Sequence, residues 1–248
     1  ARAAPLKPAV CPRVEPLHPM PCGAALPCLQ LGDWGRLGIV EQTSTAALMA
    51  STAAKRPPEF IISTGDNFYP SSLVSAADPQ FDSSFKNVYS APSLNVPWHL
   101  ALGNHDYCDG AKNCDQPGGC PNSPNWQVSV TPPPPHPALA SVDIFFIDTS
   151  PFIAGYLATT WAKCPGALPH GLARLACLAV LIDAILATVD AMLGASTAPW
   201  KVVIGHHPPR SNGDHGNNRG IISTWEPVLK KHKVQAYFAG HDHDLEHL

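Results

Sequence analysis

The chain has 248 residues, 45% of them hydrophobic, enough to bury a real core in one large domain or two small ones. Its 16 basic and 19 acidic residues leave a net charge of −3, and no basic run exceeds Lys-Lys, so a nucleic-acid or anionic-membrane partner finds little support. The 8 cysteines include no C-x-x-C pair, which argues against a zinc ribbon or a thioredoxin-type redox site, whereas the even count fits disulfides and an oxidising compartment.

In chain order, residues 1–28 hold seven prolines and three cysteines with no usable period. They are expected to form an extended N-terminal arm pinned by disulfides, ahead of a single domain over 29–248. No apolar signal-like run follows Ala1, so any signal peptide is expected to have been removed or to lie outside the chain. At least two disulfide bridges are expected with their connectivity open, the alternative being free cysteines packed as small hydrophobes.

Six apolar runs bounded by turn residues then read as strands: "CLQLGDWG", "EFIISTGD", "WHLALGNHD", "VDIFFIDTS", "WKVVIGHH" and "VQAYFAGHDH". Between them, "GIVEQTSTAALMASTAA" reads as a helix, as does 171–194, where Leu175, Leu178, Ile182, Ile185, Leu186, Val189 and Leu193 recur at helical spacing. Asp183 and Asp190 interrupt this second stretch, so it reads as a core helix rather than a membrane span. "EPVLKKHKV" predicts a short amphipathic helix before the last strand. The "PPPPHP" segment reads as a stiff surface loop rather than a polyproline ligand. Strands alternating with helices define an α/β chain built of βαβ units around a largely parallel or mixed sheet.

Every strand run except "VDIFFIDTS" ends in residues that suit a metal. These are Asp33; Asp66 with Tyr69; Asn104 with His105; His206 with His207; and His241 with His243. In open α/β sheets, sites form beyond the carboxyl ends of the strands, so these groups should converge. Singly, each has an ordinary explanation. Asp33 reads as a turn residue or helix cap, and His206-His207 as a plain strand end. The two histidines of "GHDH" are expected to project from the same side. Five such groups at five strand ends point instead to a functional site.

The series "GDWG", "GDNFY", "GNHD", "VIGH" and "GHDH" resembles the five-block signature of purple acid phosphatases. It is most similar to the small, tartrate-resistant type within the calcineurin-like metallophosphoesterase superfamily. The likeness runs from about Leu31 to Leu248. Gly35 stands where the wider superfamily usually has a histidine ligand, and Tyr69 is an added phenol. The resemblance implies an αββα sandwich of two mixed β-sheets flanked by helices. It also implies an acid phosphatase that hydrolyses phosphate monoesters at a dinuclear Fe(III)–M(II) centre, with metal-bound hydroxide as nucleophile. Its first metal would be held by Asp33, Asp66, Tyr69 and His243. Asp66 would bridge to a second, completed by Asn104, His206 and His241. Two carboxylates and a phenolate suit ferric iron, and the mixed second set suits Fe(II), zinc or manganese. By the same resemblance, His105 is the first candidate to assist the leaving group and His215 the second, although "SNGDHGNN" equally fits a solvated loop histidine. His207 receives no ligand role, and His18, His136, His170, His232 and His247 read as surface or packing residues. Small phosphorylated substrates and a secreted or lysosomal/vacuolar location complete the expectation.

Two departures from the family pattern stand out. The family continues well beyond "GHxH" with strands that complete its second sheet, whereas five residues follow His243 here, so a domain lacking those strands is expected. The proline-rich stretch between "GNHD" and "VDIFFIDTS" lacks the aromatic "RYY"-like segment, which alters the expected pocket wall. The competing readings are a phosphodiesterase or pyrophosphatase on the same scaffold, and an inactive metal-binding remnant.

Overall fold

A computed structural model describes residues 28–70, 72–73, 77–106, 142–153 and 172–248, with the side chains of 172–181 excepted. The expected N-terminal arm before Cys28, the "PPPPHP" loop and the altered segment after "GNHD" lie outside the described residues. So do His18, His136 and His170. Cys28 is the one cysteine with a described side chain, and it is exposed, so the disulfide expectation falls outside as well.

All six apolar runs form strands: β1 (Cys28–Leu31), β2 (Phe60–Ser63), β3 (Trp98–Leu100), β4 (Val142–Phe146), β5 (Trp200–Ile204) and β6 (Ala236–Phe238). The α-helices among the described residues are α1 (Val40–Lys55), α2 (Leu172–Ala195) and α3 (Arg219–Lys231). Strands β1-β2-β3 form one sheet and β4-β5-β6 another. Every pairing among the described residues is parallel.

Side-chain alternation sorts the core into three layers. Phe60, Ile62, Phe146 and Ile204 point inward and pack between the sheets. Ile61, Trp98 and Leu100 face the other way, onto Ala46, Met49 and Ala53 of α1. Phe145 and Val203 meet Val189 and Leu193 of α2 and Ile221, Trp225 and Leu229 of α3. The order is thus helix, sheet, sheet, helix. Central β2 is buried along its whole length, which is why "FIIS" reads as a continuous apolar run rather than an alternating one.

Helix α3 starts seven residues earlier than its amphipathic pattern suggests. The Asn218 side chain accepts from the Ile221 main-chain N–H at 3.1 Å and so caps the first turn. The helix stops at Lys231, where Lys233 adopts a left-handed φ of 53°. Asp190, which interrupts the apolar run of α2, meets Lys231 at 2.7 Å and His232 at 2.8 Å. Among the described residues no helix is long and apolar enough to cross a membrane.

Candidate metal centre

The parallel ladder continues past the strands and draws their loops together. Thr64 N–H donates to Leu31 O at 2.9 Å, Asp33 N–H to Gly65 O at 2.9 Å, Ala101 N–H to Ser63 O at 2.8 Å and Gly240 N–H to His206 O at 2.9 Å. Asp33, Asp66, His241 and His243 all hold positive φ, between 51° and 79°. Left-handed backbone is costly for residues with a side chain, and such strain concentrates at functional sites. It falls here on four of the sequence-predicted ligands. Two glycines make the close approach possible. A Cβ on Gly103 would overlap the Asp66 carboxylate, and one on Gly35 would overlap the Asn67 carbonyl. Position 35 therefore admits no side chain, histidine included.

The seven predicted ligands gather as two adjoining groups. In the first, the Tyr69 hydroxyl lies 3.1 Å from Asp33 Oδ1, 2.9 Å from Asp66 Oδ2 and 3.1 Å from His243 Nε2. In the second, His206 Nε2 lies 3.1 Å from Asn104 Oδ1 and 3.2 Å from His241 Nδ1. Asp66 Oδ2 belongs to both, because it is also 3.4 Å from His206 Nε2. His241 and His243, expected to project from one side, both reach this cluster. Strand β6 ends at Phe238, and the intervening turn sends His241 to one group and His243 to the other.

The electrostatics are those of crowded acids and imidazoles. Burial alone would raise the Asp66 carboxyl, but the charge and hydrogen bond of His206, with His105 beside them, hold it well below the carboxylate range. Burial and the neighbouring Asp33 and Asp66 charges push the Tyr69 phenol far up. Burial, His206 and His215 bring His241 down to about 4. The hydrogen bond to Asp33 raises His243.

These residues fit a pair of cations. Donors about 2.1 Å from one ion and at right angles to each other stand about 3 Å apart, which is the spacing seen here. The Tyr69 hydroxyl has one proton for two carboxylates, and a cation would satisfy all three oxygens at once. His206 Nδ1 sits 3.0 Å from the Thr64 carbonyl. A carbonyl only accepts, so Nδ1 carries the proton and Nε2 is left as the ligand atom, the arrangement typical of metal-bound histidine.

His105 and His215 flank this cluster. His105 Nδ1 donates to the Pro70 carbonyl at 2.6 Å, its Nε2 is 3.9 Å from Asp66 Oδ2, and its ring lies 4.2 Å from that of Tyr69. His215 Nδ1 meets Asp242 Oδ1 at 2.6 Å, and its ring lies 4.1 Å from that of His241. His207, given no ligand role from sequence, is buried with a ring nitrogen within 4.8 Å of those of His206 and His241.

Sequence reasoning passed over the residues that hold the loops. Asp106 accepts from Asn67 N–H at 2.7 Å, Asn67 Nδ2 at 2.8 Å and Gly103 N–H at 2.8 Å, joining two ligand loops. Asn67 Oδ1 accepts from Ser63 at 2.6 Å, and Ser63 accepts from the Trp34 indole at 2.9 Å. Asp106, next to "GNH", and Asp242, inside "GHDH", stood beside recognised positions and were the most findable of these.

The fold and the gathered donor residues agree with one family of proteins. The chain belongs to the calcineurin-like phosphoesterase family, whose profile matches residues 26–245. It is 37% identical over 246 residues to purple acid phosphatase 3 of Arabidopsis thaliana, covering 94% of this chain and 61% of that protein. Against tartrate-resistant acid phosphatase type 5 of Sus scrofa it is 32% identical over 234 residues, covering 88% of this chain and 64% of that protein. The chain thus spans under two thirds of the length of both relatives. Among solved structures, GAP50, the anchor in the inner membrane complex of Plasmodium, superposes with a TM-score of 0.61 at 21% identity, over 87% of this chain and 65% of that one. The purple acid phosphatase PPD1 of yellow lupin (Lupinus luteus) seeds does so with a TM-score of 0.52 at 14% identity, over 86% of this chain and 37% of that one. These two likenesses concern the fold alone.

Proposed function

We propose that the chain hydrolyses phosphate monoesters in acid, with ferric iron held by Asp33, Asp66, Tyr69 and His243. A divalent ion, Fe(II), zinc or manganese, is held by Asp66, Asn104, His206 and His241. The observation that carries this reading is the single oxygen Asp66 Oδ2, 2.9 Å from Tyr69 and 3.4 Å from His206, which one bridging ligand requires. The likeness to purple acid phosphatases supports the activity. The eight cysteines support an oxidising, secreted or lysosomal/vacuolar setting.

When bound, such a cation pair supplies Lewis acidity and an acidified water as nucleophile. The chain's own residues do the rest. His105, anchored through Nδ1 to Pro70, presents Nε2 toward the substrate. His215, anchored through Nδ1 to Asp242, presents its ring beside His241. Each imidazole binds phosphate oxygens and donates to the leaving group. Small phosphorylated molecules are the substrate class. The test is metal analysis with a visible spectrum, together with assays on a generic phosphomonoester and diester. Iron plus a divalent ion, colour and monoester turnover in acid are expected. A colourless, zinc-only protein preferring diesters would favour a phosphodiesterase, and neither metal nor turnover would favour a remnant.

A further inference from the structure

Among the described strands, β4 is the one whose end carries no predicted ligand, yet Thr149, just beyond it, is fully buried and bonds the loop that follows β5. Its hydroxyl oxygen accepts from the main-chain N–H of His206 at 3.3 Å and of His207 at 3.1 Å, and His207 Nδ1 lies 2.8 Å away. A hydroxyl has two acceptor sites and one proton. The two main-chain N–H groups fill the acceptor sites, so the third contact runs outward: Thr149 donates and Nδ1 accepts. The neutral His207 ring must then carry its own proton on Nε2. From the opposite side, Tyr237 donates to the His207 carbonyl at 2.9 Å. The two strands that flank β5 therefore grip its loop between them.

We propose that Thr149 is a positioning residue that sorts three clustered histidines. It fixes His207 as an Nε2–H donor, outside the ligand set, while holding the main chain so that His206 Nε2 faces Asn104 and Asp66. Distance alone does not exclude His207 from a cation shared by His206 and His241. To ligate through Nε2, however, His207 must move its proton to Nδ1, and three donors would then crowd one threonine oxygen. The role in ion binding rests on the metal reading above; the tautomer does not.

Long-range nitrogen–proton correlation NMR of the metal-free full chain tests the tautomer, with His207 assigned through His207→Gln. The Nε2–H pattern is expected, and an Nδ1–H or doubly protonated ring overturns the proposal. Titration with zinc alone tests the consequence. Thr149→Val should weaken zinc binding about 10–100-fold, as losses of outer-shell partners do, and Thr149→Ser should restore it. Equal affinity in Thr149→Val and wild type overturns the sorting role. If Thr149→Val fails to fold, the wild-type tautomer and the Thr149→Ser titration still decide. Wild-type protein that binds no zinc overturns the metal reading and the sorting role together, whereas the wrong tautomer in a zinc-binding protein overturns the Thr149 proposal alone.

Discussion

The guanidinium of Arg36 lies 3.8 Å above the centre of the Tyr69 ring. A cation over an aromatic face favours an electron-rich ring by about 0.5–2 kcal/mol, so Arg36 stabilises Tyr69 most when it is a phenolate bound to a metal. If Tyr69 ligates ferric iron as proposed, electron transfer from the phenolate to that iron would then cost more energy. Replacing Arg36 by Gln should move the visible band of the iron-loaded protein to longer wavelength, with iron retained. Tyr69→Phe should abolish the band. An unmoved band in Arg36→Gln would mean that the guanidinium does not tune this phenolate.

Asp66 and His215 should fail in different ways. Asp66 offers one oxygen to both donor groups, so Asp66→Ala should deplete both metals and abolish turnover. His215 touches Asp242 and stacks beside His241 without joining either donor group. His215→Ala should keep both metals and lower kcat about 10²–10⁴-fold, the range of a lost general acid. Metal content measured beside kcat separates the two, and equal metal loss would undo the division of roles.

The legibility of this site followed from where side chains sit relative to apolar runs. Asp33, Asp66, Asn104, His206 and His241 stand out because each lies in the turn just after an apolar run, and the six runs proved to be the six described strands. Thr149 was invisible for the opposite reason. It is an ordinary turn residue whose partners His206 and His207 lie 57 and 58 positions away. Asn67 and Asp106 were hidden in the same manner, 39 positions apart. The start of α3 was missed because Asn218 reads as loop until its side chain is seen bonding Ile221. The split of "FIIS" between two core layers cannot be read from a run that is apolar throughout. Local pattern reveals what faces a core, and only the assembled sheets reveal what faces a loop from another strand.

Asp106 should matter to stability before any metal is added. It accepts three hydrogen bonds, from Asn67 and Gly103. Burial and the nearby Asp66 charge push its carboxyl up to about 7. Asp106→Ala strands three donors at once, at about 1–3 kcal/mol each when left wholly unmet. Partial hydration should bring the net loss to about 3 kcal/mol, read by urea unfolding of metal-free protein. A loss below about 1 kcal/mol would show that the two loops need no clamp.

The cap of α3 offers a control at a residue with no ligand role. Asn218→Ala removes the acceptor for Ile221 N–H and should cost about 1 kcal/mol. Ile221 and Trp225 pack in the outer core of the second sheet, so the cost should appear as earlier global unfolding with unchanged zinc affinity. Altered zinc affinity would mean that α3 is coupled to the ligand loops more directly than the packing suggests.

Metal removal should expose how much the ligand loops depend on their ions. Asp33, Asp66, His241 and His243 hold left-handed backbone, and Asp33 and Asp66 bring carboxylates to one phenol. Both features cost free energy in the empty protein. A cation that binds only the folded chain stabilises it by about 2.7 kcal/mol at a hundredfold excess over Kd. Chelation should therefore lower the Tm of wild type, and restored iron and zinc should recover it in a concentration-dependent way. Asp66→Asn should start lower in metal and move far less under the same treatment. A wild-type Tm indifferent to chelator, in protein shown to carry metal beforehand, would be incompatible with cations held by these donors.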